Sequence, residues 1–196
     1  MNQFLLDGTK SQIRKTYYDV PYSSNIENQF SNGQENLRNR ISALIIDHDG
    51  NGIYEYGTFY TYDISGNIKE LIQHNNTLPK SIASNHEFKK VNYKFDLLNG
   101  NINKISYQDG QEDQFHHKYR YDEENKLIEM YTSRDGVIWK NDARYFYYDH
   151  GALARLELGD QNIQGIDYAY NINGWIKGVN STALNPKNDM GKDALS

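Results

Sequence analysis

Several kinds of residue are missing or scarce in this chain of 196 residues, and each absence removes a class of site. There is no cysteine, which excludes disulfides and thiolate metal sites but does not indicate a compartment. No run of about 18 apolar residues is present, so no membrane-spanning helix is expected. The first residues, MNQFLLDGTK, lack the basic and apolar regions of a signal peptide, which leaves a cytosolic protein or an interior fragment as alternatives.

Positive charge is also in short supply. The chain has 21 Lys and Arg against 26 Asp and Glu, and its net charge is −5. A nucleic acid would have to bind against that charge, because phosphates are attracted to basic surfaces. We therefore expect no nucleic-acid partner.

Aromatic residues are the abundant class. There are 17 Tyr, 7 Phe and 2 Trp, with only 3 Pro. Aromatic side chains pack well on a pleated surface and are enriched in strands. This composition predicts an all-β fold in which helices occupy less than about a tenth of the chain.

An aromatic pair followed by Asp or Asn recurs along the chain. The five matches are Tyr60-Thr61-Tyr62-Asp63, Tyr93-Lys94-Phe95-Asp96, Tyr119-Arg120-Tyr121-Asp122, Phe146-Tyr147-Tyr148-Asp149 and Tyr168-Ala169-Tyr170-Asn171. After each match a Gly or Asn is followed two residues later by Ile or Leu, in the pairs Gly66/Ile68, Gly100/Ile102, Asn125/Leu127, Gly151/Leu153 and Gly174/Ile176. Because the steps between successive Asp or Asn positions are 33, 26, 27 and 22 residues, the repeat is loose.

Each match is predicted to be one antiparallel β-hairpin. Aromatics two residues apart share a strand face, and the Asp or Asn can accept hydrogen bonds from backbone N–H groups just ahead. Gly or Asn then supplies the positive φ that closes the turn, and Ile or Leu begins the return strand. Gly100 comes one residue late after Asp96, and Gly151 one residue early after Asp149, so different turn types are expected there.

The flanking segments are less regular. Tyr17-Tyr18-Asp19 is followed by Val20-Pro21, which indicates a degenerate unit or the end of a preceding one. Residues 23–36 are polar and read as a loop, whereas residues 38–47 return to strand-like apolar content. The predicted organisation is a degenerate repeat and polar loop over 1–35, hairpin repeats over 36–180 and a flexible tail over 181–196.

These residues resemble the RHS/YD-repeat family, whose units read roughly aromatic-x-Tyr-Asp-x-x-Gly-x-Leu. YTYDISGNIKEL at 60–71 and YRYDEENKLIEM at 119–130 are close to that pattern, and residues 36–45, 145–160 and 165–180 look like looser units. The resemblance implies an array of antiparallel hairpins forming a curved sheet, a section of a larger β-shell that can enclose a C-terminal toxin domain. Related repeats also occur on outer surfaces and in adhesive ectodomains.

The function implied by the resemblance is structural. We expect a non-catalytic segment of a secreted or cell-surface protein, whose partners are neighbouring repeats and a toxin domain of the same polypeptide. The alternative is an adhesion module that binds carbohydrate or protein through exposed aromatics such as Tyr131, Trp139 and Tyr147. Surface glycans are expected as partners only if the chain is such an adhesion module.

Asp47-His48-Asp49-Gly50-Asn51-Gly52 is the sharpest candidate for a metal site. Oxygen-bearing side chains at alternating positions with glycine resemble the start of a calcium loop. The twelfth position is Thr58 rather than a bidentate acid, and Glu55 could reach only in a different loop. We favour an Asp/Asn/Gly turn linking Ile46 to Ile53 over calcium binding by Asp47, Asp49 and Asn51, and assign no metal site.

The remaining candidates for chemistry are weak. His116 and His117 are adjacent in a predicted strand, so they point to opposite faces and cannot easily share a metal. His48, His74, His86 and His150 fall in or near loops without a second imidazole at ligand spacing. There is no Gly-x-Ser-x-Gly elbow or glycine-rich phosphate loop, and Glu123-Glu124 reads as a solvated turn. We therefore expect no enzyme activity, no catalytic residues and no cofactor.

Overall fold

The computed structural model describes residues 12–79, 86–161 and 163–180, and its regular structure is almost wholly β. The elements are β1 (Ile13–Tyr18), α1 (Ser24–Glu27), β2 (Ile41–Asp47), β3 (Tyr56–Tyr62), β4 (Ile68–Asn75), β5 (Phe88–Phe95), β6 (Ile102–Tyr107), β7 (Phe115–Tyr121), β8 (Leu127–Ser133), β9 (Lys140–Tyr147), β10 (Leu153–Leu158), β11 (Gln164–Tyr170) and β12 (Ile176–Val179). Helix accounts for 3% of the structure, which confirms the expected scarcity. Over the described ranges, no helix combines the length and apolar character needed to cross a membrane. The predicted tail at 181–196 lies outside the described residues.

The strands form one open antiparallel sheet whose strand order follows the chain order. This order confirms the prediction of an all-β array of successive hairpins. Tertiary contacts divide the chain into two compact units. The first is Met1–Phe95 with Ile105–Gln114, and the second is Asp96–Lys104 with Phe115–Ser196.

Tyr17-Tyr18-Asp19 opens the first hairpin. β1 ends at Tyr18 and pairs with β2, whose first residue is Ile41. The Asp19 N–H donates to the Arg40 carbonyl at 3.2 Å, and an Asp19 carboxylate oxygen accepts from the Asn39 N–H at 2.5 Å. The motif therefore begins a hairpin whose turn is replaced by a long insertion, residues 20–40.

Most of residues 23–36 lacks regular structure, as expected of a loop, but the insertion also packs on the sheet. It contains α1, capped by the Ser23 side chain, and it buries Ile26 (1% exposed) and Phe30 (5% exposed) against the sheet. The core of the first unit consists of these two side chains with Ala43 and Ile45 of β2, Phe59 of β3 and Ile72 of β4. The two buried residues are four apart in an otherwise polar segment, so the hydrophobic pattern was too sparse to predict packing.

The same insertion replaces sheet pairing at one end of β2 and β3. The ladder between them ends at the pair Ala43↔Phe59. Beyond it, the buried Gln34 amide donates to the Ser42 carbonyl at 2.7 Å and to the Tyr60 carbonyl at 2.8 Å. Backbone acceptors that have lost their strand partner are thereby satisfied by a side chain.

The second unit carries a row of paired charges on one face of its sheet. The register places Arg120 opposite Glu129 and Arg155 opposite Asp167. The Arg120 guanidinium lies 2.9 Å from the Glu129 carboxylate, and that of Arg155 lies 2.8 Å from Asp167. Opposite charges directly across a ladder favour this register over a slipped one.

Candidate functional site

In several hairpins the repeated Asp begins the turn through its own side chain. In the hairpin of β3 and β4, an Asp63 carboxylate oxygen accepts from the Asn67 N–H at 2.8 Å. The Asp63 N–H donates to the Asn67 carbonyl at 2.9 Å, and the Gly66 N–H donates to the Asp63 carbonyl at 3.1 Å. The predicted role of Asp63 in starting the turn is confirmed.

The same position works equally well with an amide. Asp122 Oδ1 accepts from the N–H groups of Glu124 and Lys126 at 2.9 and 2.8 Å. Asn171 Oδ1 accepts from those of Asn173 and Trp175, both at 2.9 Å. In these turns the side chain supplies an oxygen acceptor and needs no negative charge, which argues against a catalytic carboxylate at this position.

Hydrogen bonding lowers the pKa of two of these carboxyl groups. Burial alone would raise the pKa of Asp63, but the side-chain and backbone donors of Asn67, with the N–H groups of Gly66 and Ser65, lower it overall. The N–H groups of Leu98 and Asn99 likewise lower the pKa of Asp96. A general acid needs a raised pKa, so neither carboxyl group is suited to that role.

The predicted positive φ is present in every turn of the repeat. Gly66 has φ +94° and Asn125 has φ +64°. The equivalent residues of the other hairpins, Gly100, Gly151 and Gly174, also have positive φ. The longer turn expected after Asp96 is confirmed, because the Gly100 N–H donates to the Asp96 carbonyl at 3.0 Å, four residues back.

The fourth match is misaligned by one residue. The Gly151 N–H donates to the Tyr148 carbonyl at 2.7 Å, and the Tyr148 N–H donates to the Ala152 carbonyl at 2.9 Å. Tyr148 therefore occupies the position of Asp63, and Asp149 lies one residue further into the turn. The different turn type expected here is wrong, since Gly151 lies three positions after Tyr148, as Gly66 lies three positions after Asp63.

A second feature of the repeat was not predicted from the sequence. The tyrosine that precedes the turn donates its hydroxyl hydrogen to the first residue of the preceding strand. The bonds are Tyr62 to the Ile41 carbonyl at 2.8 Å, Tyr121 to the Ile102 carbonyl at 3.0 Å and Tyr147 to the Leu127 carbonyl at 2.7 Å. We call these three residues the clamp tyrosines, because each fastens its hairpin to the one before.

Burial raises the pKa of each clamp tyrosine, which favours the protonated, donating hydroxyl. Two equivalent positions have no such bond among the described residues. They are Phe95, which has no hydroxyl, and Tyr170, whose hydroxyl has no acceptor among the described residues. Near Tyr170, the hydroxyl of Tyr148 donates to the Tyr168 carbonyl at 2.8 Å. The clamp is thus a recurring but not universal part of the repeat.

Five return strands also begin with a β-bulge, namely β2, β4, β8, β10 and β12. The register shift leaves one extra residue in second position on the return strand. The extra residues are Ser42, Lys69, Ile128, Ala154 and Lys177. A bulge increases local twist and redirects side chains. Its recurrence beside the tyrosine indicates that the bulge and the turn form one structural unit.

Asp47 is used as a turn residue in the candidate calcium loop. It is buried, and its two carboxylate oxygens accept from the N–H groups of Gly50 and Gly52 at 2.7 and 2.9 Å. Asn51 Oδ1 accepts from the Ile53 N–H at 2.7 Å. Among the residues the structure describes, no group of three or more His, Cys, Asp or Glu is placed to hold a metal ion. The geometry supports the turn interpretation.

His74 lies near a loop, as expected, but is also buried and hydrogen-bonded, which the sequence did not indicate. It lies in β4, is 6% exposed and stacks on Phe88 with ring centroids 4.3 Å apart. Its Nδ1 lies 2.8 Å from the Tyr54 hydroxyl, and its Nε2 lies 2.8 Å from Glu87 Oε1. Burial, with the neighbouring Tyr22 and Glu87, raises the pKa of Tyr54 to about 12, so this phenol is a poor nucleophile or base at neutral pH.

His116 and His117 point to opposite faces, as predicted. His116 is buried near Trp139, with ring centroids 6.4 Å apart. His117 stacks on Tyr119 on the other face, with centroids 6.3 Å apart and an interplanar angle of 7°. The two imidazoles therefore do not converge on one site.

The aromatics considered for sugar binding contact lysines of their own chain. The Lys118 ammonium lies 5.1 Å from the Tyr131 ring centroid and 4.9 Å from that of Trp139. Tyr147 is a clamp tyrosine, with the Lys126 ammonium 5.7 Å from its ring centroid. These contacts use ring faces on which a sugar would stack.

No family model and no curated protein matches the chain. The chain does match solved structures. The crystal structure of TcdB2-TccC3-Cdc42 has a TM-score of 0.50 at 11% identity, and that of TcdB2-TccC3 without its hypervariable C-terminal region has 0.52 at 11%. The Photorhabdus luminescens Tc holotoxin pore with the TccC3-D651A mutation has 0.50 at 12%.

Each of these matches covers 85% of this chain and 9% of the matched chain. At such low identity the likeness concerns the fold. The chain has the fold of the RHS-type repeats of TccC3, as the resemblance in its sequence implied.

Proposed function

We propose that this chain is a non-catalytic section of the repeat wall of a secreted or cell-surface RHS-type protein, which encloses a C-terminal toxin or displays a surface. The observation that carries the proposal is the clamp. Tyr62, Tyr121 and Tyr147 use their hydroxyls to join successive hairpins. The repeat's most distinctive polar groups therefore serve to extend a sheet.

The chemistry of the turn supports the same proposal. Asp63 and Asp122 act as hydrogen-bond acceptors for backbone N–H groups, and Asn171 does the same without a charge. A residue type that is interchangeable between acid and amide is suited to turn formation and not to acid–base chemistry.

The similar structures support a role within a larger protein. They include a Tc holotoxin pore, and this chain spans 9% of the matched chain. A closed wall needs many more repeats than six hairpins, because each repeat buries its faces against neighbours. Neighbouring sequence would supply the rest of the wall and the cargo.

Cryo-electron microscopy of the polypeptide from the complete reading frame tests the proposal. We expect strands β1–β12 to continue, on both sides, into further hairpins of one curved wall. A separate module attached by a linker, with its own closed sheet, would contradict it.

A second candidate is a binding module for carbohydrate or protein. The observation in its favour is Trp175, whose side chain is 74% exposed in the last hairpin. A glycan array probed with the purified chain, with Trp175→Ala as the control, discriminates the two. Specific binding lost in that variant favours the module, and no binding favours the wall section.

A further inference from the structure

The contact between successive hairpins has a second component besides the clamp tyrosine. It comes from the residue directly before each return strand, which we call the link residue. In the hairpins that provide a clamp acceptor, the link residues are Arg40, Asn101 and Lys126, followed by Ile41, Ile102 and Leu127. Each link residue is therefore adjacent in sequence to the carbonyl that receives the tyrosine hydroxyl.

Two link residues lie over the clamp tyrosine of the following hairpin. The Arg40 guanidinium carbon is 5.5 Å from the Tyr62 ring centroid, and the Lys126 ammonium is 5.7 Å from that of Tyr147. These are cation–π distances. The link residue thus covers one face of the ring while the next carbonyl binds its hydroxyl.

The same side chains reach the turn of the following hairpin. A Cβ added to Gly66 would lie 2.5 Å from an Arg40 nitrogen, and one added to Gly151 would lie 3.7 Å from the Lys126 ammonium. Asn101 donates to the side chain of Asn125, the counterpart of Gly66, at 3.1 Å. Three hairpins therefore use the link position to contact the hairpin that follows.

Trp175 is the link residue of the last described hairpin. It precedes Ile176, the first residue of β12, and β12 is an edge strand of the sheet. Trp175 is 74% exposed and Ile176 is 60% exposed. A large, exposed aromatic side chain therefore occupies the position from which Arg40 and Lys126 contact the ring of a following tyrosine.

The opposite edge shows the complementary half of this contact. Tyr18 of β1 occupies the clamp position of the first hairpin and is 53% exposed, whereas the clamped Tyr62 is 9% exposed. Tyr121 and Tyr147 are half-buried, so all three clamp tyrosines are less exposed than Tyr18, which has no described hairpin before it.

We propose that Trp175 and the Ile176 carbonyl form a docking site for a further β-hairpin of the same aromatic-x-Tyr-Asp pattern. The tyrosine ring of that hairpin stacks on the indole, and its hydroxyl donates to the Ile176 carbonyl. Its outgoing strand pairs with the open backbone of β12. This inference rests on the proposed function, because it names the partner of one end of the wall section.

A hairpin peptide added to the full chain provides the test. The chain carries Trp139→Phe, so that Trp175 is its only tryptophan, and the peptide corresponds to residues 56–75, which span β3, its turn and β4. We expect the Trp175 emission to shift to shorter wavelength as the peptide binds. Trp175→Ala should weaken binding of a labelled peptide by about threefold to tenfold, the range for one aromatic pair.

Matched variants distinguish docking at Trp175 from nonspecific hydrophobic association. Ile172→Ala alters a fully exposed apolar side chain of the same hairpin that is not a link residue, and should leave affinity unchanged. A peptide with Tyr62→Phe keeps the ring and loses the hydroxyl, so it should bind about threefold to tenfold more weakly than the native peptide.

A peptide alone forms a hairpin poorly, so sedimentation of the full chain gives a second measurement. Concentration-dependent association that is weakened by Trp175→Ala and by Tyr18→Ala supports the proposal, with a second copy as the hairpin donor. Equal effects of Trp175→Ala and Ile172→Ala in both measurements overturn it, as does glycan binding at Trp175 without peptide binding. If microscopy shows the wall but Trp175 does not contact the next hairpin, only this inference fails.

Discussion

Tyr121 of β7 donates its hydroxyl hydrogen to the carbonyl oxygen of Ile102, the first residue of β6, at 3.0 Å. The neighbouring Asp122 instead bonds within its own hairpin, to the N–H groups of Glu124 and Lys126. The two adjacent residues of the motif therefore have separate tasks. The tyrosine joins hairpins, and the aspartate forms the turn.

Tyr121→Phe should lower the free energy of unfolding of the second unit by about 1 kcal/mol, because it removes one partly buried hydrogen bond and leaves the carbonyl without its donor. Urea unfolding followed by tryptophan fluorescence measures this, since both tryptophans lie in that unit. The control is Tyr145→Phe, whose hydroxyl has no hydrogen-bond partner among the described residues. Equal losses in the free energy of unfolding of the two variants would contradict a stabilising role for the Tyr121 hydroxyl.

Asp122→Asn should be nearly neutral and Asp122→Ala should cost on the order of 1 kcal/mol, because only the first keeps an oxygen acceptor for the turn. Asn171 already shows that an amide suffices at this position. The same unfolding assay measures both variants. If both left stability unchanged while a measurable activity disappeared, Asp122 would be a functional site and the turn assignment would be wrong.

Gly66→Ala should destabilise the chain more than Gly100→Ala. Both glycines have positive φ, so each substitution carries a backbone penalty of about 1 kcal/mol or more. Only at Gly66 does the added Cβ collide with Arg40, whereas nothing lies within 4 Å at Gly100. Displacing Arg40 from the Tyr62 ring should add about 0.5–1 kcal/mol.

Thermal unfolding followed by circular dichroism compares the two glycine variants. Arg40→Ala provides the background in which the extra cost of Gly66→Ala should vanish. An extra cost that persists there would show that the link residue is not its source.

Alkaline pH should weaken the clamp at Tyr62. Burial, then the neighbouring Tyr60, raises the pKa of Tyr62 above 10.0, and Arg40 opposes this only in part. A raised pKa in the folded state means that the contribution is fully present below pH 10 and is lost as the pH rises through the folded pKa. Urea unfolding should show a smaller decline above about pH 10 in Tyr62→Phe than in the native chain. An equal decline in the free energy of unfolding of the two chains would contradict the role of the Tyr62 hydroxyl as a clamp.

Ile26→Ala should cost about 2–5 kcal/mol, because it opens a cavity between the insertion and the sheet of the first unit. Val20→Ala, at an exposed site of the same insertion, should change the free energy of unfolding by about 0.5 kcal/mol or less. Thermal unfolding measures both. A small effect at Ile26 would show that the insertion contributes little to the core of the first unit.

The turns were predictable from sequence because their determinants are local. Asp63, Gly66 and Ile68 sit at fixed spacing, and each acts on backbone within a few residues. The misplaced fourth repeat shows the limit of this reasoning. Two consecutive tyrosines precede Asp149, so the aromatic pattern fits two alignments, and only the backbone bond from Gly151 to Tyr148 decides between them.

The contacts between hairpins could not be predicted, because they depend on register between distant segments. Nothing near Tyr62 indicates that its hydroxyl meets the Ile41 carbonyl, 21 residues earlier. The packing of Ile26 and the placement of His74 in a buried strand are of the same kind. These contacts follow from the pairing of distant strands, which the local sequence pattern does not specify.

Hydrogen exchange of the isolated chain, resolved by strand, tests the central claim that it is a section of a longer array. A section has two unsatisfied edges, so amides of β1 and β12 should exchange well before those of the inner strands β3, β4 and β8. Full protection of both edge strands in a monomeric chain would show a closed domain. That result would contradict the account and favour the binding module.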